Sequence, residues 1–173
     1  MIRIYVTRLA RNGTQAKQRA LASIHARKLL LWAMGEQGMD PADYPLSYTE
    51  KGKPYLANTD IEISITHSGQ WAACALSDAP VGIDLERIRE VSEGVWRKVL
   101  AQSPDEPMGD AHEAIRRWTC YEASLKRLGY RSPLPVGVNF QTIRAIPGYL
   151  LTVCGEGTVE AIRFVSDYAT TSE

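Results

Sequence analysis

An α+β fold made of two similar halves is what the order of segments predicts. Three observations carry this reading. The chain opens with a strand pattern followed by a long helical one. Its middle, residues 61–86, is a series of short apolar runs separated by tight turns. A second long helix with further strands behind it completes the order. The halves, residues 1–80 and 81–173, meet near Ala79–Val81. No identity between them is apparent by eye, so their likeness is one of element order.

With 173 residues the chain suffices for one substantial domain or two small packed halves. Lys plus Arg and Asp plus Glu both number 20, which leaves no global basic field for nucleic acid. No apolar stretch approaches the length of a membrane span. Met1–Val6 alternates like a strand and lacks a signal-peptide core. The expectation is a cytoplasmic protein with no nucleic-acid or membrane partner. Cys74, Cys120 and Cys154 are scattered and odd in number, so they fit neither a disulfide framework nor a zinc site and read as buried thiols.

Taken in order, Ile2, Ile4 and Val6 alternate with polar residues and predict a strand, broken at Asn12-Gly13. Gln15 to Gln37 is helical, with faces traced by Leu21, Ile24, Lys28 and Leu31 and by Leu21, Ala22, Leu29 and Trp32, and with Gly35 and Gly38 ending it. Asp40-Pro41 and Tyr44-Pro45 punctuate a loop, Leu46–Tyr48 is a short strand, and Gly52–Leu56 reads as a turn. Ile61, Ile63 and Ile65 alternate with polar residues and run into His67-Ser68-Gly69. With the apolar run to Leu76 this makes a hairpin tipped by Ser68-Gly69. Ser92 caps a helix through Leu100, and Ser103-Pro104 starts another segment, interrupted at Pro107–Gly109. A long helix covers Asp110–Leu128, with Gly129 as its C-cap. Pro133 and Pro135 mark a loop. Val138–Phe140, Tyr149–Cys154 and Val159–Phe164 read as strands, the last two pairing around Gly155-Glu156-Gly157, and the tail from Ala169 is loose.

The chemistry gathers at Gly82-Ile83-Asp84-Leu85-Glu86. On a strand, residues two apart share a face, so Asp84 and Glu86 stand side by side while Ile83 and Leu85 enter a core. Two such carboxylates repel unless a proton or cation lies between them, and Mg²⁺ with substrate phosphates is the usual resolution. Alone, the pattern more often describes two solvated acids at the end of a strand. Trp118, Glu122 and Lys126, spaced by four, share one helix face. That spacing is compatible with a surface ion pair and with a third carboxylate beside a phosphate-binding lysine.

Together, these blocks resemble the Sfp-type 4′-phosphopantetheinyl transferases. The likeness lies in Gly52-Lys53-Pro54, in Ile65-Thr66-His67-Ser68-Gly69 and in Val81-Gly82-Ile83-Asp84-Leu85-Glu86. It continues in Trp118-Thr119-Cys120-Tyr121-Glu122-Ala123-Ser124-Leu125-Lys126 and in Arg27-Lys28-Leu29-Leu30. The pattern departs from the family's at Tyr121, where a Lys is usual, and in a short region before Arg27. The resemblance implies a pseudo-dimer of two α+β halves with the active site in the cleft between them. It implies transfer of phosphopantetheine from coenzyme A to a serine of an apo acyl or peptidyl carrier protein, with release of 3′,5′-ADP. By resemblance Asp84, Glu86 and Glu122 hold Mg²⁺, and Glu122, Lys126 and His67 serve the chemistry. Arg27, Lys53, Thr66, His67 and Lys126 bind the coenzyme. Arg87, Arg89, Arg97, Lys98, Arg116 and Arg117 are candidates for docking an acidic carrier, and a monomer is the expectation. Two rivals stay open, a non-catalytic module binding coenzyme A or a carrier, and a metal-dependent phosphohydrolase that uses the same acids with water.

Overall fold

The computed structural model describes residues 1–10, 14–101, 109–130, 138–166 and 168. The break at Asn12-Gly13, the start at Ser103-Pro104 with its interruption at Pro107-Met108, the Pro133 and Pro135 loop and the tail from Ala169 lie outside the described residues.

The architecture is mixed α+β. A first sheet has the order β4 (Glu62–Ser68), β5 (Trp71–Ser77), β1 (Ile2–Arg8), β9 (Val159–Val165). A second has the order β6 (Val81–Arg87), β8 (Tyr149–Gly155), β7 (Phe140–Ile143). The short strands β2 (Leu46–Tyr48) and β3 (Pro54–Leu56) pair with each other. Among the described residues three helices complete it: α1 (Gln15–Glu36), α2 (Glu93–Leu100) and α3 (Ala111–Leu128).

Strand alternation sorts the core into layers. Ile2, Ile4, Val6, Ala73 and Ala75 of the first sheet meet Val81, Ile83, Leu85, Leu151 and Val153 of the second in one buried cluster. The opposite side of the first sheet, with Tyr5, Ile63, Cys74 and Leu76, packs on Leu29, Leu30, Ala33 and Met34 of α1. Helix α3 covers the opposite side of the second sheet with Ala114, Ile115, Thr119, Cys120, Ala123 and Ser124. Every one of these surfaces removes apolar area from water, which is the main force holding the layers together.

Position 82 fixes the approach of α3 to β6. A Cβ there would overlap the Ala123 carbonyl oxygen and come within 2.5 Å of the Arg127 amide nitrogen. Only glycine lets the helix lie this close to the strand.

Several expectations need correction. Strands β8 and β9 do not pair with each other. β8 is the centre of the second sheet, whereas β9 leaves to run parallel to β1 at the edge of the first. Apolar alternation marks a strand but carries no information on its partner. Gly52–Leu56 is a turn only at Gly52, where φ is +83°; Pro54 onward is β3. The hairpin tip is Gly69-Gln70, because Ser68 pairs with Trp71. The β7 strand starts at Phe140, so Val138 and Asn139 precede it. On α1 the core stripe is Ala22, Ala26, Leu29, Leu30, Ala33 and Met34, while Ile24 and Leu31 are exposed. Gly35 lies inside that helix, and Gly38, with φ +71°, follows its C-cap. Ser92 stands at the N-cap of α2 without a side-chain capping bond, whereas the Asp110 carboxylate accepts from the Glu113 amide at the start of α3. The three cysteines are free and buried.

Candidate active site

Among the described residues strand β6 is paired with one strand, β8, and its other edge faces β4. That open edge is not closed by a backbone ladder. Instead, three hydroxyls spaced by two along β4 accept its amides. Ser64 Oγ accepts from Ile83 N at 2.9 Å, Thr66 Oγ1 from Leu85 N at 3.1 Å, and Ser68 Oγ from Arg87 N at 3.4 Å. The sheets are thus stitched edge to edge by side chains, where unpaired amides would otherwise be costly.

The hydroxyls also meet the carboxylates. Thr66 Oγ1 donates to Asp84 Oδ1 at 3.3 Å, and Ser68 Oγ donates to Glu86 Oε2 at 2.9 Å. Asp84 is 5% exposed, which removes the solvated-acid reading for this residue. Its Oδ1 also accepts from Lys126 Nζ at 2.7 Å, and its Oδ2 is buried with no hydrogen-bond partner among the described residues. Burial pushes the Asp84 carboxyl up, against the pull of the Lys126 ammonium and the Thr66 hydroxyl. Burial likewise raises Glu86, and the neighbouring Asp84 charge adds to it. Desolvation lowers His67, with Lys126 as the next cause, so its neutral imidazole is favoured as a hydrogen-bonding group rather than a fixed cation.

Beside this group opens a cavity of about 800 Å³, walled by Arg27 of α1, Tyr48 of β2, Lys53, β4, and Lys126 with Tyr130 at the end of α3. Three of the sequence-predicted binding residues, Arg27, Lys53 and Lys126, therefore converge on one cavity. Lys53 is engaged there: its ammonium donates to Glu62 Oε2 at 2.9 Å and to the Arg127 carbonyl at 3.0 Å. Lys126 belongs to both parts of the site. It lines the cavity and pairs with Asp84. Thr66 sits under the carboxylates, bonded to Asp84, and is not among the cavity walls.

Glu122 is half-buried on α3, one turn before Lys126. Among the described residues no group of three His, Cys, Asp or Glu side chains is gathered as a metal cage. Asp84 and Glu86 still suit a hard cation. They are adjacent carboxylates on one strand face, both raised by burial, and one oxygen is buried without a partner among the described residues.

The basic residues expected at a docking face are unevenly available. Arg116 and Arg117 both bond Glu113, whose carboxyl they hold down at about 2, and Arg97 pairs with Glu93. Lys98 lies 5.9 Å from the Trp118 ring centre, and Arg87 and Arg89 are exposed. Sequence reasoning missed Ser64 and Ser68, Glu62 as the partner of Lys53, and the exposed Tyr48 and Tyr130 at the cavity. The period-two run Ser64-Thr66-Ser68, opposite Ile63 and Ile65, was the available signal for the hydroxyls.

No family model matches the chain. Comparison with curated proteins finds a 4′-phosphopantetheinyl transferase of Bacillus subtilis, 31% identical over 109 residues, which are 57% of this chain and 47% of that protein. The 4′-phosphopantetheinyl transferase gsp of Aneurinibacillus migulanus is 33% identical over 98 residues, 50% of this chain and 39% of that protein. The 4′-phosphopantetheinyl transferase Sfp of Bacillus subtilis strain 168 is 29% identical over 108 residues, 57% of this chain and 47% of that protein. The chain spans about half the length, or less, of these relatives. Over about half of its own residues it is similar to Sfp-type 4′-phosphopantetheinyl transferases.

Proposed function

We propose that this protein transfers the 4′-phosphopantetheine arm of coenzyme A to a serine hydroxyl of an apo acyl or peptidyl carrier protein, with Mg²⁺ as the cofactor and 3′,5′-ADP as the second product. We read residues 1–80 as the nucleotide-binding half and 81–173 as the half that carries the metal and catalytic residues. In this reading the two halves form a pseudo-dimer, and the cavity between α1, β4 and α3 is its active-site cleft. One observation carries the proposal: Lys126 reaches both the cationic cavity and the buried Asp84 carboxylate. A pyrophosphate-bearing ligand in the cavity would have its phosphates beside the carboxylate pair through this residue.

In the proposed reaction the serine oxygen attacks the phosphorus that carries the pantetheine arm. The new P–O bond forms as the bond to the ADP phosphate breaks, and the electron pair leaves with 3′,5′-ADP. Arg27 and Lys53 hold the nucleotide phosphates, Arg27 by its planar fork and Lys53 as a point charge. Lys126 faces the charge that grows on the departing phosphate. Glu122 stands as a third carboxylate for Mg²⁺ and as the acceptor of the serine proton, directly or through a water. Neutral His67 contributes a hydrogen bond to the phosphates. Mg²⁺, when held by Asp84 and Glu86, neutralises phosphate oxygens. A single chain is the working unit in this reading.

The test is the intact mass of an apo carrier protein after incubation with this protein, coenzyme A and Mg²⁺, with Asp84→Ala as control. A gain of one phosphopantetheinyl arm, absent in the control, is the expected result. No gain across several carriers, with coenzyme A still bound, would replace the transferase by a binding module.

A further inference from the structure

We propose that Thr66 and Ser68 are positioning residues that set the rotamers of Asp84 and Glu86 for a divalent cation. The inference rests on the cation reading of those two acids and not on the identity of the group transferred.

A hydroxyl has one proton. Thr66 Oγ1 accepts the Leu85 amide at 3.1 Å and Ser68 Oγ accepts the Arg87 amide at 3.4 Å. With a lone pair committed to the strand edge, each hydroxyl directs its proton at the adjacent carboxylate, Asp84 Oδ1 at 3.3 Å and Glu86 Oε2 at 2.9 Å. Asp84 Oδ1 is then occupied by Thr66 and Lys126, and Oδ2 is the oxygen left over, buried and without a partner among the described residues. The same strand edge therefore orients both acids. Groups that orient ligating carboxylates in this way commonly change metal affinity 10–100-fold when removed.

The fold contains its own control. Ser64 makes the same kind of bond, accepting the Ile83 amide at 2.9 Å, but the residue beside that rung on β6 is Gly82, so there is no carboxylate to orient. If the hydroxyls merely stitch the sheets, all three rungs are equivalent. If they orient ligands, only two are.

Mn²⁺ is the probe, titrated into the full chain with the free ion followed by electron paramagnetic resonance. Circular dichroism verifies that each variant is folded. One site per chain is expected, lost in Asp84→Asn. Thr66→Val and Ser68→Ala weaken it by about 10–100-fold, Thr66→Ser restores it, and Ser64→Ala binds as the native protein does. Native affinity in folded Thr66→Val and Ser68→Ala would overturn the proposal, as would equal weakening in Ser64→Ala or no Mn²⁺ bound by the native protein. Carrier modification read by mass alongside separates the two readings. Transfer with hydroxyl-independent Mn²⁺ binding overturns the positioning role alone. Hydroxyl-dependent Mn²⁺ binding without transfer overturns the proposed function alone.

Discussion

Asp84 holds opposing demands in one side chain. Its ionised form is buried, and neither Lys126 nor Thr66 offsets the desolvation, so between pH 3.8 and the raised folded value the folded protein holds a proton there that the unfolded chain has released. Stability from this residue therefore falls as pH rises from the ordinary 3.8 through the raised folded value. Above the raised folded value Asp84→Asn removes the buried charge, and the cation-free variant should then melt above the native protein while losing Mn²⁺ binding. A lower melting point, measured calorimetrically, would mean that the Lys126 pair outweighs desolvation. His67 acts with the opposite slope. Its folded value lies below 6.5, so the unfolded chain binds the extra proton, and stability complete above pH 6.5 is lost as pH falls through the folded value. His67→Gln should flatten that limb of a denaturation profile taken from pH 7 downward. For the reaction, Glu122→Gln should lower carrier turnover by about 10²–10⁴-fold if the carboxylate takes the serine proton, and by far more than Lys126→Ala. Single-turnover rates with saturating coenzyme A decide this.

At the scale of elements, the site depends on how close α3 lies to β6. Gly82→Ala places a methyl against the α3 backbone at Ala123 and Arg127, which no side-chain motion relieves. A loss of about 3 kcal/mol or more is expected, measured by urea denaturation. The Asp84–Lys126 contact should loosen with it, because those residues lie on the two elements forced apart. Strand β6 was legible from its residues: Ile83 and Leu85 enter the core, and Asp84 and Glu86 share the other face. Helix α3 was legible too, because Asp110 and Gly129 are local signals for its ends. What could not be read was partnership. Alternation in Val159–Val165 specifies a strand but not that it joins β1, and on α1 the apolar Ile24 and Leu31 look like core until the sheet is placed. The cavity was legible only through the motifs, since Arg27, Lys53 and Lys126 are brought together by three separate elements.

The molecule as a whole is two sheets face to face, closed on the outside by α1 and α3 and bonded along one edge through the β4 hydroxyls. Residues from both ends of the sequence share the first sheet: β1 lies between β5 and β9, and Thr7 Oγ1 donates to the carbonyl of Val165, 158 positions away. Deleting Val159–Val165 should broaden the urea transition and expose the second edge of β1, read as faster amide exchange at Ile2–Thr7. The same arrangement shapes biosynthesis. Once β1 has been made, the strand that covers its far edge follows only after roughly 10–30 s of translation. Through that interval an apolar strand stands with one bare edge, a template for intermolecular pairing. On the ribosome, this protein is most vulnerable to aggregation in the interval after β1 has been synthesised and before β9 has.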